Sequence, residues 1–192
     1  MTGFSHKAGK GRAVLPGIFV GLFLLAMHSS GVHAQSSYTA QGGQELSLTG
    51  SFDFEAPNGD NINLRAGYGW YYQDDLLFKW DYQWVVSEDI AANNSDYRAQ
   101  QGSFGTEYLF SNGGAAVPYI GVNVGWRNTK FGSVRESGLV IGPKAGFRYF
   151  LNDSVSIDSS VSLNFSNEDV FIVDFESTDS YIFPGVGISA SF

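Results

Sequence analysis

The segment Leu77–Trp84 reads LFKWDYQW, with Phe78, Trp80, Tyr82 and Trp84 on one parity and Lys79, Asp81 and Gln83 on the other. In an extended strand successive side chains leave opposite faces, so the rings build one surface and the charged and amide groups the other. A soluble sandwich or barrel would bury the rings and wet the charges. A membrane barrel would turn the rings to lipid and fold the charges inward. The remaining segments decide between these two solutions.

The alternation recurs along the chain. One parity carries Leu46, Leu48, Gly50, Phe52 and Phe54; then Ile62, Leu64, Ala66, Tyr68, Trp70 and Tyr72; then Leu76 to Val86 as above; then, less cleanly, Phe104, Thr106, Tyr108 and Phe110. It continues with Ile120, Val122, Val124 and Trp126; Leu139, Ile141, Pro143, Ala145, Phe147 and Tyr149; Val155, Ile157, Ser159, Val161, Leu163 and Phe165; and Ile182, Pro184, Val186, Ile188, Ala190 and Phe192. These are eight strands. The opposite parity holds five cations and six anions, namely Glu45, Asp53, Glu55, Arg65, Lys79, Asp81, Glu107, Arg127, Lys144, Arg148 and Asp158, among glycine, serine, asparagine and glutamine. Such a face cannot serve as a hydrophobic core, whereas the apolar parity is continuous and nearly free of charge.

The magnitudes point the same way. A Lys or Arg facing mid-bilayer costs roughly 2–4 kcal/mol in a membrane barrel, so a charge-free parity over eight strands is what lipid contact demands. Arg98 is the exception, at the loop end of the fourth strand, where the cost falls toward about 0–1 kcal/mol. Inside, near-balanced charges are expected to pair across the lumen and fill it, offsetting the cost of burying each one alone. The fold class expected is all-β: an eight-stranded antiparallel up-and-down transmembrane β-barrel behind a cleavable signal peptide.

Residues 1–34 carry that export label. Lys7, Lys10 and Arg12 form a basic start, Ala13 to Met27 an apolar run broken by Pro16, Gly17 and Gly21, and Val32-His33-Ala34 a small-residue cleavage site before Gln35. The apolar run is shorter than the ~20 residues a membrane-spanning helix needs. Residues 35–43, polar and glycine-bearing, are expected to be a flexible periplasmic lead-in, and residues 44–192 the barrel domain. Without its leader the chain keeps eight basic against nineteen acidic residues, a net charge near −11. That argues strongly against a nucleic-acid partner, which would require a basic face. The absence of cysteine excludes disulfides, thiolate metal sites, a lipoprotein anchor and cysteine nucleophiles.

Connections alternate in length. Gln73-Asp74-Asp75 and Asn152-Asp153-Ser154 read as tight turns and Ser111 to Val117 as a modest one. Ser87–Asp96, Asn128–Ser137 and Asn167–Asp179 read as long loops, and Pro57–Asn61 as a short one on the same side. Short turns at one end and long loops at the other describe a barrel with periplasmic and outer ends, both termini periplasmic. Trp70, Tyr72, Trp84, Trp126, Tyr149 and Phe192 fall near strand ends, where interfacial girdles belong. Pro143 and Pro184 each remove a ladder donor, so each is expected to mark a bulge or an end of regular pairing.

With these segments, the leader, the glycine-aromatic runs AGYGWYY and VPYIGVNVGW and the closing GVGISASF, the chain resembles the small eight-stranded outer-membrane barrels of the OmpA/OmpX type over Gln44–Phe192. The resemblance implies that Phe192, an aromatic residue ending the last strand, is the signal read by the outer-membrane assembly machinery. It also implies outer-membrane lipid and lipopolysaccharide as surroundings, a bacterial outer-membrane location and a monomeric state.

Catalytic chemistry finds little support. The lipid-remodelling and proteolytic barrels rely on histidine, and His6, His28 and His33 all lie in the leader. Asp53 and Glu55 share a strand face as a glycosidase pair would, but lumen alternation places them there without any cleft. The expectation is a non-enzymatic protein without cofactor or metal, structural or surface-interactive through its outer loops. Two alternatives stand beside it, a narrow pore for ions or small solutes and a secreted lipocalin-like ligand-binding barrel. The acidic loops holding Glu88, Asp89 and Asp96, and Glu168, Asp169, Asp174, Glu176 and Asp179, read as a solvated rim, with weak divalent-ion bridging to lipopolysaccharide phosphates as the alternative.

Val170, Phe171, Ile172, Val173 and Phe175 make the last loop unusually apolar. Two readings follow. The stretch prolongs the last two strands as a protruding ribbon whose free edge pairs with a surface protein ligand, or it folds over the barrel mouth.

Overall fold

The computed structural model describes residues 39–53, 60–88, 97–111, 114–173 and 176–192. Its strands are β1 (Gln44–Asp53), β2 (Asp60–Gln73), β3 (Leu76–Glu88), β4 (Tyr97–Leu109), β5 (Ala116–Phe131), β6 (Val134–Phe150), β7 (Val155–Ser166), β8 (Phe171–Val173), β9 (Glu176–Thr178) and β10 (Ser180–Ser191). Eight of them close into an antiparallel barrel in the order β1-β10-β7-β6-β5-β4-β3-β2, while β8 and β9 pair as a separate two-stranded sheet. Every barrel neighbour except the closing pair is also a neighbour in sequence once β8 and β9 are set aside, as the up-and-down reading requires.

The facing of the residues answers the choice posed by LFKWDYQW. Trp80 is 58% exposed and Lys79 4% exposed. The same inversion runs around the wall: Leu48, Val122, Ile141 and Ile188 lie on the outside, while Arg65, Glu107 and Arg148 are buried within. Rings on β2, β3 and β4 knit an outer aromatic patch, with Phe78 stacked on Trp70 at 5.8 Å and on Phe104 at 5.9 Å. Glycine on the inner parity makes room for long polar side chains. At Gly67 a Cβ would stand 2.6 Å from the Lys79 Cε and 2.6 Å from the Ser47 Oγ, so the Lys79 chain passes where any larger residue would sit.

Two expectations change. The expected long loop at Asn128–Ser137 is instead a strand hairpin: β5 runs to Phe131 and β6 starts at Val134, so only Gly132 and Ser133 turn, with Gly132 in the left-handed region at φ 56°. The ladder continues beyond the apolar alternation because strand pairing needs backbone partners, not greasy side chains. Second, Thr39–Gly43, expected to be flexible, is tied to the turn end of the barrel. Gly42 N donates to Tyr71 O at 2.8 Å, Tyr71 N to Gly43 O at 2.8 Å and Gln41 N to Asp74 Oδ1 at 2.9 Å. The leader expected at residues 1–34 lies outside the described residues.

Of the two readings of the last loop, the prolonging ribbon is not the one seen: β8 and β9 pair with each other, apart from the barrel ladder. Each proline keeps regular register on one side, Val122↔Pro143 and Val161↔Pro184, and meets an interruption of pairing only on the other. The β6–β7 ladder keeps its register from Ile141↔Phe165 to Lys144↔Ser162 but skips Gly142 and Pro143, and Pro184 lies just past Gly50↔Val186, the last pair between β1 and β10.

Candidate functional site: the charged lumen and its two closures

β1, β3, β4, β6 and β7 each send an ionisable side chain into the lumen near the end where β1 begins, β10 ends and the short turns lie. The centre is Arg148, fully buried, with Nη1 donating to Glu45 Oε2, Nη2 to Glu107 Oε2 and Nε to Asp158 Oδ2 at 3.4 Å. Two lysines complete the layer: Lys144 Nζ meets Glu107 Oε1 at 2.8 Å and Lys79 Nζ meets Glu45 Oε1 at 3.5 Å. Three cations thus face three carboxylates, and the pairs meet the condition under which buried charges are tolerated, namely multiple hydrogen bonds and local neutrality.

Below this layer the turn end is closed by Tyr71, Leu77, Leu109, Val117 and Tyr119, all buried, with Phe150 packed against them. The two tyrosines join closure to charge. Tyr71 OH donates to Glu45 Oε2 at 3.2 Å and accepts from Arg148 Nη1 at 2.9 Å, and Tyr119 OH donates to Asp158 Oδ1 at 3.0 Å. The Tyr119 ring also lies 5.3 Å from the Arg148 guanidinium carbon and 5.1 Å from Lys144 Nζ, the arrangement of a cation over an aromatic face.

The other charges do not join one network. Arg65 lies over the Phe183 ring at 4.6 Å and donates to Gln83 Oε1 at 3.3 Å, and Gln83 in turn donates to Asn63 Oδ1 at 2.8 Å. Asp81 is half-buried, and its Oδ1 has no hydrogen-bond partner among the described residues. The gap that it lines with Lys79, Thr106, Glu107, Asn123 and Lys144 measures about 10 Å³, room for a single water and for no solute. Asp53 ends β1, and its side chain, with the whole of Glu55, lies outside the described residues.

The loop end has its own closure. Val170 and Phe171 are buried with Val140, and Tyr181 stacks on the Phe171 ring at 5.8 Å. Arg127 holds them in place: its Nε donates to Val170 O at 3.2 Å, its guanidinium carbon lies 4.9 Å from the Phe171 ring, and its Nη2 donates to Tyr97 OH at 2.8 Å. Thr129 Oγ1 adds a bond of 2.6 Å to the same carbonyl. Val170 and Phe171 therefore follow the second reading of this loop, folded over the mouth, because burying a valine and a phenylalanine is worth roughly 1.5–3 kcal/mol each. Ile172 and Val173 belong to β8, and Phe175 lies outside the described residues.

Sequence reasoning missed Tyr71, Leu77, Leu109, Val117, Tyr119 and Phe183. All sit on the charged parity, where a bulky apolar residue signals a lumen closure. Among the described residues no three of His, Cys, Asp and Glu converge on a metal position.

No protein-family model matches the sequence, and no curated protein matches it significantly. Solved structures do match in fold. Neisserial surface protein A aligns with a TM-score of 0.56 at 16% identity, over 78% of this chain and 96% of that one. The N-terminal β-barrel domain of Pseudomonas aeruginosa OprF aligns at 0.52 and 17%, over 79% and 98%. Ail, the attachment invasion locus protein of Yersinia pestis, aligns at 0.53 and 13%, over 79% and 99%. In its fold this chain, a closed eight-stranded antiparallel β-barrel, is similar to the small barrels of these outer-membrane proteins.

Proposed function

We propose that the protein is a non-enzymatic barrel of the bacterial outer membrane whose lumen is sealed, and that it acts structurally and through the surface formed by its loop end. The observation that carries this is the double closure: the apolar cluster under the Arg148 layer at one end and the Arg127-held Val170 and Phe171 at the other. An interior of eight strands is only wide enough for side chains, and here charged and aromatic groups fill it. Acid–base chemistry has no histidine to use after His33. Both termini then face the periplasm and the β5–β6 hairpin and the β8–β9 sheet face outward.

Planar-bilayer recording on the refolded protein tests the sealed lumen. The expected trace is flat at moderate voltage. Stable single-channel steps of porin size would establish the pore reading instead.

A further inference from the structure

The basic residues divide in a way that points to a ligand. Eight follow the leader, and five of them, Arg65, Lys79, Arg127, Lys144 and Arg148, are buried in the lumen. The other three are exposed and stand in one row on adjacent strands: Arg98 of β4 pairs across to Lys130 of β5, and Lys130 pairs across to Arg135 of β6. All three lie on the outer parity of the wall. Directly opposed residues on neighbouring strands hold their Cβ atoms roughly 5 Å apart, and like charges in that position destabilise the sheet. Lys130 and Arg135 have no ion-pair partner among the described residues.

The height of the row names the anion. Leu139 and Trp126 are paired outer-wall residues, and above them comes the polar row Gln100, Asn128 and Ser137, in which Asn128 Oδ1 accepts from Trp126 Nε1 at 3.3 Å and from Ser137 Oγ at 2.8 Å. From Trp126 to Lys130 the strand climbs about 14 Å, or about 10 Å along the membrane normal at the usual tilt. That carries the cations out of the hydrocarbon and into the headgroup layer. Below them, Val124, Ile141 and Leu139 present an apolar wall for acyl chains.

We propose that Arg98, Lys130 and Arg135 form a docking row for the phosphate groups of lipopolysaccharide in the outer leaflet. A phosphate between Lys130 and Arg135 removes their mutual repulsion and accepts their hydrogen bonds, with Arg98 adding its charge at the end of the row, while its acyl chains lie on the wall beneath. The assignment rests on the outer-membrane reading above.

The test uses the full barrel in neutral phosphatidylcholine vesicles, titrated with lipopolysaccharide and followed by tryptophan fluorescence. A heat-dependent gel-mobility shift is measured first on every sample; its loss in the parent protein would sink the membrane reading rather than the docking row. Each cation near a lipid surface is worth about a fivefold affinity change, so Lys130→Gln is expected to weaken binding about fivefold and R98Q/K130Q/R135Q on the order of 100-fold. Enzymatically dephosphorylated lipopolysaccharide is expected to bind the parent as weakly as lipopolysaccharide binds the triple variant. Without added lipid ligand, Lys130→Gln is expected to be neutral or slightly stabilising in urea unfolding, because it relieves repulsion. Parent-like affinity in Lys130→Gln and in any folded triple variant would overturn the proposal. So would complete displacement by millimolar inorganic phosphate, which would identify a free-phosphate site.

Discussion

Replacing Arg148 with methionine removes the central cation and its guanidinium contacts but keeps an unbranched apolar stem. The consequence can be worked from the contacts. Glu107 keeps Lys144 at 2.8 Å and Glu45 keeps Lys79 at 3.5 Å, but Asp158 keeps only the Tyr119 hydroxyl at 3.0 Å. One carboxylate is left buried without a cation, and stranding one member of a buried pair costs about 3–5 kcal/mol. The double variant R148M/D158N restores neutrality, with two lysines facing two glutamates, and leaves chiefly the loss of hydrogen bonds, about 1–2 kcal/mol. The double variant is therefore expected to be about 2–3 kcal/mol more stable than R148M alone. Urea unfolding in phospholipid vesicles measures it, with the outward-facing Trp80, Trp84 and Trp126 reporting departure from lipid. A single variant within about 1 kcal/mol of the parent, or a double variant as unstable as the single one, would refute the claim that charge balance holds this layer together.

Other substitutions probe the remaining parts. Trp80 lies in the middle of the lipid-facing wall between Tyr68 and Phe104, so Trp80→Arg is expected to cost roughly 2–4 kcal/mol in the same assay, and Trp80→Leu far less. Phe171→Ala removes the ring beside Arg127; protease cleavage between Asn167 and Asp179 is expected to accelerate severalfold while the gel-mobility shift of the barrel stays unchanged. Conductance is also expected to stay absent in that variant, because the turn-end cluster around Tyr119 remains; opening by this substitution alone would show that the lower closure does not seal.

Parity was the legible part of this sequence. Alternation around Trp80 and Lys79 gives the face of each residue, and with lipid costs it gives the inversion and the strand count. Parity says nothing of depth along the barrel, which depends on register between strands far apart in sequence. Arg148 and Glu45 meet across a hundred residues because β6 ends and β1 begins at the same end of the barrel, while Arg65 and Arg127, on the same inner face, find amides, rings and a carbonyl instead. The hairpin carrying Lys130 and Arg135 looked like a loop because strand was inferred from greasy alternation, which stops at Trp126 while the ladder does not. Val170 and Phe171 were ambiguous for a related reason: an apolar run announces burial or docking without saying which.

The closing seam joins the first barrel strand to the last, through a ladder that runs from Glu45↔Ser191 only to Gly50↔Val186. Without β10 in place β1 has no partner on that side, and the wall is an open sheet with a raw edge. Such a sheet invites aggregation, and the pairing of β1 with β10 is the step that removes its edge. Gln44 and Phe192, which exchange hydrogen bonds of 2.9 and 3.0 Å at the end of that seam, form its clasp.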